Sequence, residues 1–270
     1  EREKMRPMCG SSLARPRAGS RSLRRTLVIY LTIGCLLPLV LVGMLTYSSI
    51  YAILSNKIQS GILSTLQQEA LSLENSINNL DFASKQFALD GQIVDELSAF
   101  LQEKQISKKS QLMASINEKM NLVNFTNPFL GLTAYVIPHD ADPILFTNLS
   151  MNDDFDSGTL PSFIHYNGAD YFGPHKTMYN VSDNMVFSEL RSVQAQEDKR
   201  VYIYLETNYS LFRKILGQQS FGMPVAHLLV NEEGSITYVE DESIPDSVKK
   251  AVKSELTLPH QEYKGYHLFR

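Results

Sequence analysis

The sequence predicts an α+β chain led by a membrane-crossing helix. Three observations carry this. One uncharged apolar run, residues 26–54, follows a cluster of arginines at 21, 24 and 25. An amphipathic pattern with a period of seven continues to about Phe87. From about residue 128 the apolar residues instead alternate at period two, the spacing of strands.

A spanning helix needs about 20 apolar residues. Residues 27–45 supply 19, softened only by Thr32, Gly34, Gly43 and a mid-span Pro38, which a membrane helix tolerates as a kink. A secretory signal has a shorter apolar core followed by a small-x-small cleavage site, and no such site follows here. Eight of the 25 Lys and Arg, but two of the 29 Asp and Glu, precede Thr26. The basic flank therefore stays cytoplasmic, with Tyr30, Tyr47 and Tyr51 at the two interfaces. Everything beyond about residue 52 is then extracytoplasmic and net acidic, which argues against nucleic acid as a partner. Its lack of cysteine (Cys9 and Cys35 both lie before it) suits a Gram-positive cell surface or a periplasm, and a Gram-positive cell membrane is the expected location. Residues 1–25 read as a disordered basic tail.

Leu66, Leu73, Leu80 and Phe87 recur seven apart, with Leu63, Ala70 and Ile77 beside them. This seam predicts a long helix that packs on a partner helix or on its own sheet. "LDGQ" (89–92) interrupts it with a turn pair. Ile93, Leu97 and Leu101 mark a second helix. A third, capped by Ser107 or Ser110, carries the stripe Leu112, Ile116, Met120 and Val123 and stops before Pro128.

Strands are expected at "LTAYVI" (132–137), "ILFTN" (144–148), "KTMYNV", "MVFSELRSV" (185–193) and "RVYIYLETNY" (200–209). The polar stretch around "YNGADYFGPH" (166–175) reads as a loop. "SLFRKILGQQ" is expected as a short helix capped by Ser210. "PVAHLLVNEEGSITYVE" (224–240) predicts a hairpin with glycine in its turn. "SIPDSVKKAVKSEL" predicts a helix with proline in its first turn. "YKGYHLF" starts a further strand. The sheet so begun is incomplete at Arg270, so the chain is expected to be a fragment of a longer protein.

With "GCLLPLVLVGMLTYSSIY" at the anchor, "VYIYLETNYSLFRKIL" (201–216) and "LLVNEEGSITYVED" (228–241), this order of elements over about 26–270 resembles the double Cache sensor region of YesM-type sensor histidine kinases. The resemblance implies two PAS-like modules stacked along one long helix. The divisions are then 1–25 cytoplasmic tail, 26–50 transmembrane helix, 51–127 long helix and helical segment, 128–221 membrane-distal module, and 222–270 the start of a truncated membrane-proximal module. It also implies a second anchor, a HAMP linker and a kinase beyond Arg270.

The chain shows no Gly-rich phosphate loop, Ser-His-Asp motif or helically spaced metal pair, so no catalytic residue, cofactor or metal is expected. No histidine has the setting of a phospho-accepting one. "HDAD" (139–142) could hold a cation but reads as a solvated turn. Alternation puts Phe187, Glu189 and Arg191 on one strand face, and Tyr202, Tyr204 and Glu206 on one face of the next. Aromatics with a few charges suit a small-molecule site. The expected lining is Tyr135, Tyr166, Tyr171, Tyr179, Arg191, Tyr204 and Glu206, with Arg191 as polar anchor. The resemblance implies that loop 166–179, which also holds His175, covers this site. The alternative is a solvent face with Arg191 paired to Glu189 or Glu206. The expected function is extracytoplasmic signal sensing for a histidine kinase. The partners are a small-molecule ligand or an extracellular binding protein, the membrane, and a second copy in a homodimer. A chemotaxis transducer, a membrane-bound AraC-type regulator, or a membrane-anchored surface enzyme or adhesin are the alternatives.

Overall fold

The computed structural model describes residues 20–138, 143–152, 155–195, 200–208, 210–211, 215, 224–231, 233–254, 260–263 and 266–269. The chain divides into two compact units, Glu1–Ile58 and Gln59–Arg270. Helix α1 (Ser20–Leu89) is continuous through Pro38. In the first unit its large apolar side chains from Leu23 to Leu54 are exposed. Among the described residues this is the one helix long and apolar enough to cross a membrane.

In the second unit α1 buries one stripe. Leu80, Ala83, Phe87 and Ala88 enter the main core, Ile77 packs against it, and Leu73 joins a smaller cluster with Phe187 and Ile215. Full burial of a leucine such as Leu80 contributes roughly 1.5–3 kcal/mol. The seam from Leu73 to Phe87 thus packs on the chain's own sheet, while Ala70 of the seam is exposed, as are Leu71, Phe82 and Leu89 of α1.

Asp90 breaks the helix as a cap: its Oδ1 accepts from the backbone N–H groups of Gln92 and Ile93, starting α2 (Gly91–Gln102). Such a cap contributes about 1 kcal/mol. Helix α3 (Ile106–Thr126) buries Ile116 and Met120. The expected caps Ser107 and Ser110 lie inside it. Gln105 is the N-cap and no side chain caps the helix; Glu103 Oε1 instead accepts from Lys104 and Gln105 N–H in the α2–α3 connection at 2.9 and 2.8 Å.

The sheet has six antiparallel strands: β1 (Leu130–Val136), β2 (Ile144–Thr147), β3 (Ser162–Tyr166), β4 (Ala169–Lys176), β5 (Met185–Val193) and β6 (Val201–Thr207), in the order β2-β1-β6-β5-β4-β3. The expected loop 166–179 is corrected: most of it is β4, an interior strand. Asn167 and Gly168, with φ of 50° and 75°, form the two-residue turn of the β3–β4 hairpin, the positive-φ turn that Asn-Gly favours. Within β4, Gly173 and Pro174 fall where the pairing with β5 shifts register. Proline cannot donate to a ladder, so an interior strand holds it only at such an irregularity. A Cβ at Gly173 would sit 3.0 Å from the Phe187 ring.

One sheet face packs on α1, α2 and α3 through Tyr135, Tyr171, Ile203 and Leu205. The other carries Leu132, Ala134, Phe172, Leu190 and Tyr204, covered by Met151, Phe155 and Leu160 from the β2–β3 connection. That connection is the cover, in place of the expected 166–179 loop.

Two two-stranded sheets follow. β7 (Leu228–Val230) and β8 (Ile236–Val239) form the expected hairpin, with Gly234 at φ 76° in its turn. Pro245 precedes α4 (Asp246–Ser254) rather than entering its first turn. "YKGYHLF" is divided between β9 (His260–Tyr263) and β10 (Tyr266–Phe269), which pair with each other. In place of the expected Ser210 cap, Asn208 Oδ1 accepts from the Ser210 N–H. Most of "SLFRKILGQQ" and all of "HDAD" lie outside the described residues.

Candidate functional site

Antiparallel register decides which side chains meet. Arg191 pairs directly with Ile203, and Glu189 with Leu205. Directly paired residues share a face, so Arg191 and Glu189 point with the aliphatic side of β6 toward the helices. There Arg191 Nη2 lies 2.6 Å from Asp81 Oδ1 and 3.0 Å from Glu189 Oε1. Its Nε donates to Ser84 Oγ at 2.7 Å and to Glu189 Oε1 at 3.1 Å. Its Nη1 donates to the Asn167 carbonyl at 2.7 Å. Ser84 Oγ in turn donates to Glu189 Oε1 at 2.5 Å, and Lys85 reaches Asp81 Oδ2 at 2.7 Å. The cluster ties α1 to β5 and to the β3–β4 turn. Burial pushes the Glu189 carboxyl up to about 7, against the pull of Ser84 and Arg191. Burial also pushes the Tyr171 hydroxyl well up, helped by the nearby Glu189 charge.

The opposite face holds a second polar cluster. Glu206 accepts from Tyr204 Oη at 2.8 Å, from Met178 N–H at 2.7 Å and from Thr177 Oγ1. His175 Nε2 meets Ser188 Oγ at 2.6 Å, and its Nδ1 meets the Lys176 carbonyl at 2.7 Å. Burial pushes the Glu206 carboxyl up and the His175 imidazole down. Tyr204, Glu206 and Ser188 are all sealed from solvent. This cluster pins the end of β4 to β5 and β6.

Beyond the sealed part, the same face opens into a cleft of about 710 Å³ lined by Asp170, Leu190, Ser192, Gln194, Arg200 and Tyr202. It offers one carboxylate, one guanidinium, a hydroxyl, an amide and an aromatic ring. Asp170 is half-exposed and meets His165 Nδ1 at 2.7 Å.

The seven expected lining residues do not converge. Tyr135 and Tyr171 are buried on the helix side, the former donating to the Phe87 carbonyl at 3.1 Å. Arg191 is held in the helix-side cluster, with Glu189 as the sequence allowed and with Asp81, which it did not suggest. Tyr204 and Glu206 lie on the other face, Tyr166 is exposed beside Tyr171, and Tyr179 bridges Met151. The alternation along each strand is as expected, but the faces of β5 and β6 were matched the wrong way round. The cleft residues Asp170, Ser192, Arg200 and Tyr202 were missed as lining. The Asn-Gly turn signal at 167–168 was available to place Asp170 on a strand.

No family model and no curated protein matches the chain. Among solved structures it is similar to an extracellular ligand-binding receptor from Desulfohalobium retbaense DSM5692, at 14% identity and a TM-score of 0.43. That match covers 76% of this chain and 36% of the receptor, so the chain spans about a third of the receptor's length. It is also similar to the ligand-binding domain of the Pseudomonas fluorescens chemoreceptor CtaA. In the complex with L-isoleucine the identity is 11% and the TM-score 0.42, covering 78% of this chain and 83% of that one. In the complex with L-serine the values are 14% and 0.35, covering 74% and 87%.

Proposed function

We propose that the chain is the extracytoplasmic sensing region of a membrane-bound sensor histidine kinase, and that the cleft at Asp170, Ser192, Arg200 and Tyr202 takes its small-molecule ligand. The observation that supports this is the back-to-back use of β5 and β6. Leu190, Ser192 and Tyr202 line the cleft, while Arg191 and Ile203 between them are packed toward α1. A ligand that binds one arrangement of these strands better than another shifts the population between them. Opposite charges beside an aromatic ring suit a small polar molecule carrying a cationic and an anionic or acceptor group. In this reading 128–221 and 222–270 belong to a membrane-distal and a membrane-proximal PAS-like module. The exposed α1 residues Leu71, Phe82 and Leu89 supply the face for a second copy. A chemotaxis transducer or a membrane-bound AraC-type regulator would use the same geometry, with a different output beyond Arg270.

The test is thermal-shift screening of the whole chain in lipid nanodiscs against small zwitterions, amines, anions and oligosaccharides, followed by calorimetry on any hit. Asp170→Asn and Tyr202→Ala are expected to weaken binding, Asp170→Asn by roughly 1.5–3 kcal/mol, the scale of a charge-assisted hydrogen bond. Unchanged affinity in both variants, with unfolding curves like the parent's, would move the site away from this cleft.

A further inference from the structure

A second groove, of about 550 Å³, runs along α1 and shares no lining residue with the cleft at Asp170. Its size is that of a small-molecule site. The α1 side of the groove is polar and repeats every seven residues: Gln68 and Asn75, Glu69 and Ser76, Ser72 and Asn79. Residues three, four and seven apart share one helix face, so this stripe runs beside the apolar seam. Phe129, Leu211 and Ile215 supply the apolar lining. The last two pack with Leu73 and Phe187, while the Phe129 ring is partly open to solvent.

The polar side offers mainly acceptors. Ser72 and Ser76 donate their hydroxyl protons to the Gln68 and Ser72 carbonyls, so toward a ligand they present lone pairs. Glu69 adds a carboxylate, and no Lys, Arg or His is among the described lining residues. Its side chain is 12% exposed, and its Oε2 lies 3.4 Å from His227 Nε2, longer than an ordinary N–H···O bond. Its Oε1 has no hydrogen-bond partner. His227 Nδ1 lies 2.7 Å from Glu240 Oε2. A neutral imidazole has one N–H to give, and the shorter contact takes it. Glu69 is left as a largely buried carboxylate short of donors, which is costly until a cation or donor supplies them. The exposed Gln68 and Asn75 amides can turn their oxygens to the same ligand.

We propose that the groove on α1 binds a small aliphatic amine. Glu69 and the amide oxygens of Gln68 and Asn75 take its ammonium, and its carbon chain lies on Phe129, Leu211 and Ile215. An aromatic ring at the edge of such a site adds to the attraction for a cation. An anion finds no positive group among the described lining residues. The site stands whether or not a ligand occupies the cleft at Asp170.

The experiment is calorimetric titration of the whole chain, in nanodiscs of zwitterionic lipid, with putrescine and with butanediol as its uncharged analogue. Putrescine should bind saturably and butanediol should not. Asn75→Lys places a cation at an exposed position of the groove, where folding should be little changed, and should weaken putrescine by at least about tenfold. Glu69→Gln should weaken it to a similar degree. Glu74→Gln removes an exposed α1 carboxylate that does not line the groove, and should leave the affinity unchanged, as should Asp170→Asn. No saturable binding of putrescine to the parent, equal binding of butanediol, or unchanged affinity in folded Asn75→Lys would each overturn the site. So would an equal loss in Glu74→Gln and Glu69→Gln, the mark of general attraction to an acidic surface. A loss in Asp170→Asn with none in Glu69→Gln would overturn it too, by assigning the amine to the other cleft.

Discussion

At the scale of the residue, Arg191 is a strut. Its guanidinium reaches Asp81, Glu189, Ser84 and the Asn167 carbonyl, and 9% of its side chain is exposed. Arg191→Ala leaves the buried Glu189 carboxyl without its cation and Asp81 with Lys85 alone, and breaking a buried pair in this way costs about 3–5 kcal/mol. Equilibrium denaturation of the whole chain should therefore show a large loss of stability. Affinity for any ligand of the cleft should change little in the fraction that folds. The opposite pattern, normal stability with lost binding, would restore Arg191 as a ligand anchor. Part of this cluster was legible beforehand: Glu189 stands two residues away on the same strand, so pairing was foreseeable from alternation. Asp81 is 110 residues distant, and nothing local in the sequence links the two.

At the scale of the element, α1 and β4 show the two outcomes of reading a pattern. The α1 seam was legible because burial on one side of a long helix imposes a 3.6-residue rhythm over several turns. Leu80→Ala should cost about 2–5 kcal/mol, the range for truncating a fully buried leucine. Leu71→Ala, on the exposed side, should stay within about 0.5 kcal/mol. Paired denaturation curves would check both, and equal losses would mean that the stripe is wrongly placed. β4 was not legible because its Gly173-Pro174 pair sits at an irregularity in pairing, and such a dipeptide inside a strand reads locally as a loop. The neighbouring strands supply the ladder partners that make it a strand.

At the scale of the whole molecule, the uncharged run in α1 and the charge imbalance on its two sides make a topological proposal testable. Protease added to intact cells or protoplasts should remove the segment from about residue 59 onward while the basic flank before Thr26 survives. Protection of that segment to the same degree as a cytoplasmic control would reverse the orientation. The sheet and helices of the second unit are held by contacts between segments far apart in sequence, such as Tyr135 with Phe87 and Ser84 with Glu189. A cut in the exposed helix near residue 59 should leave them folded.

The sequence by itself determined the apolar span, the long amphipathic helix after it, the change to period-two strands and the β7–β8 hairpin. Each of these is a local property: length, periodicity or turn chemistry acts within a few residues of where it is written. Only the tertiary structure decided which strand faces share a side. A register shift of one residue exchanges the two faces of a strand. Here pairing of Arg191 with Ile203, and not with Tyr202 or Tyr204, sends the arginine toward α1 and leaves Ser192 and Tyr202 to the cleft. Alternation names the two sets of side chains, but pairing between strands assigns each set to the core or to the cleft.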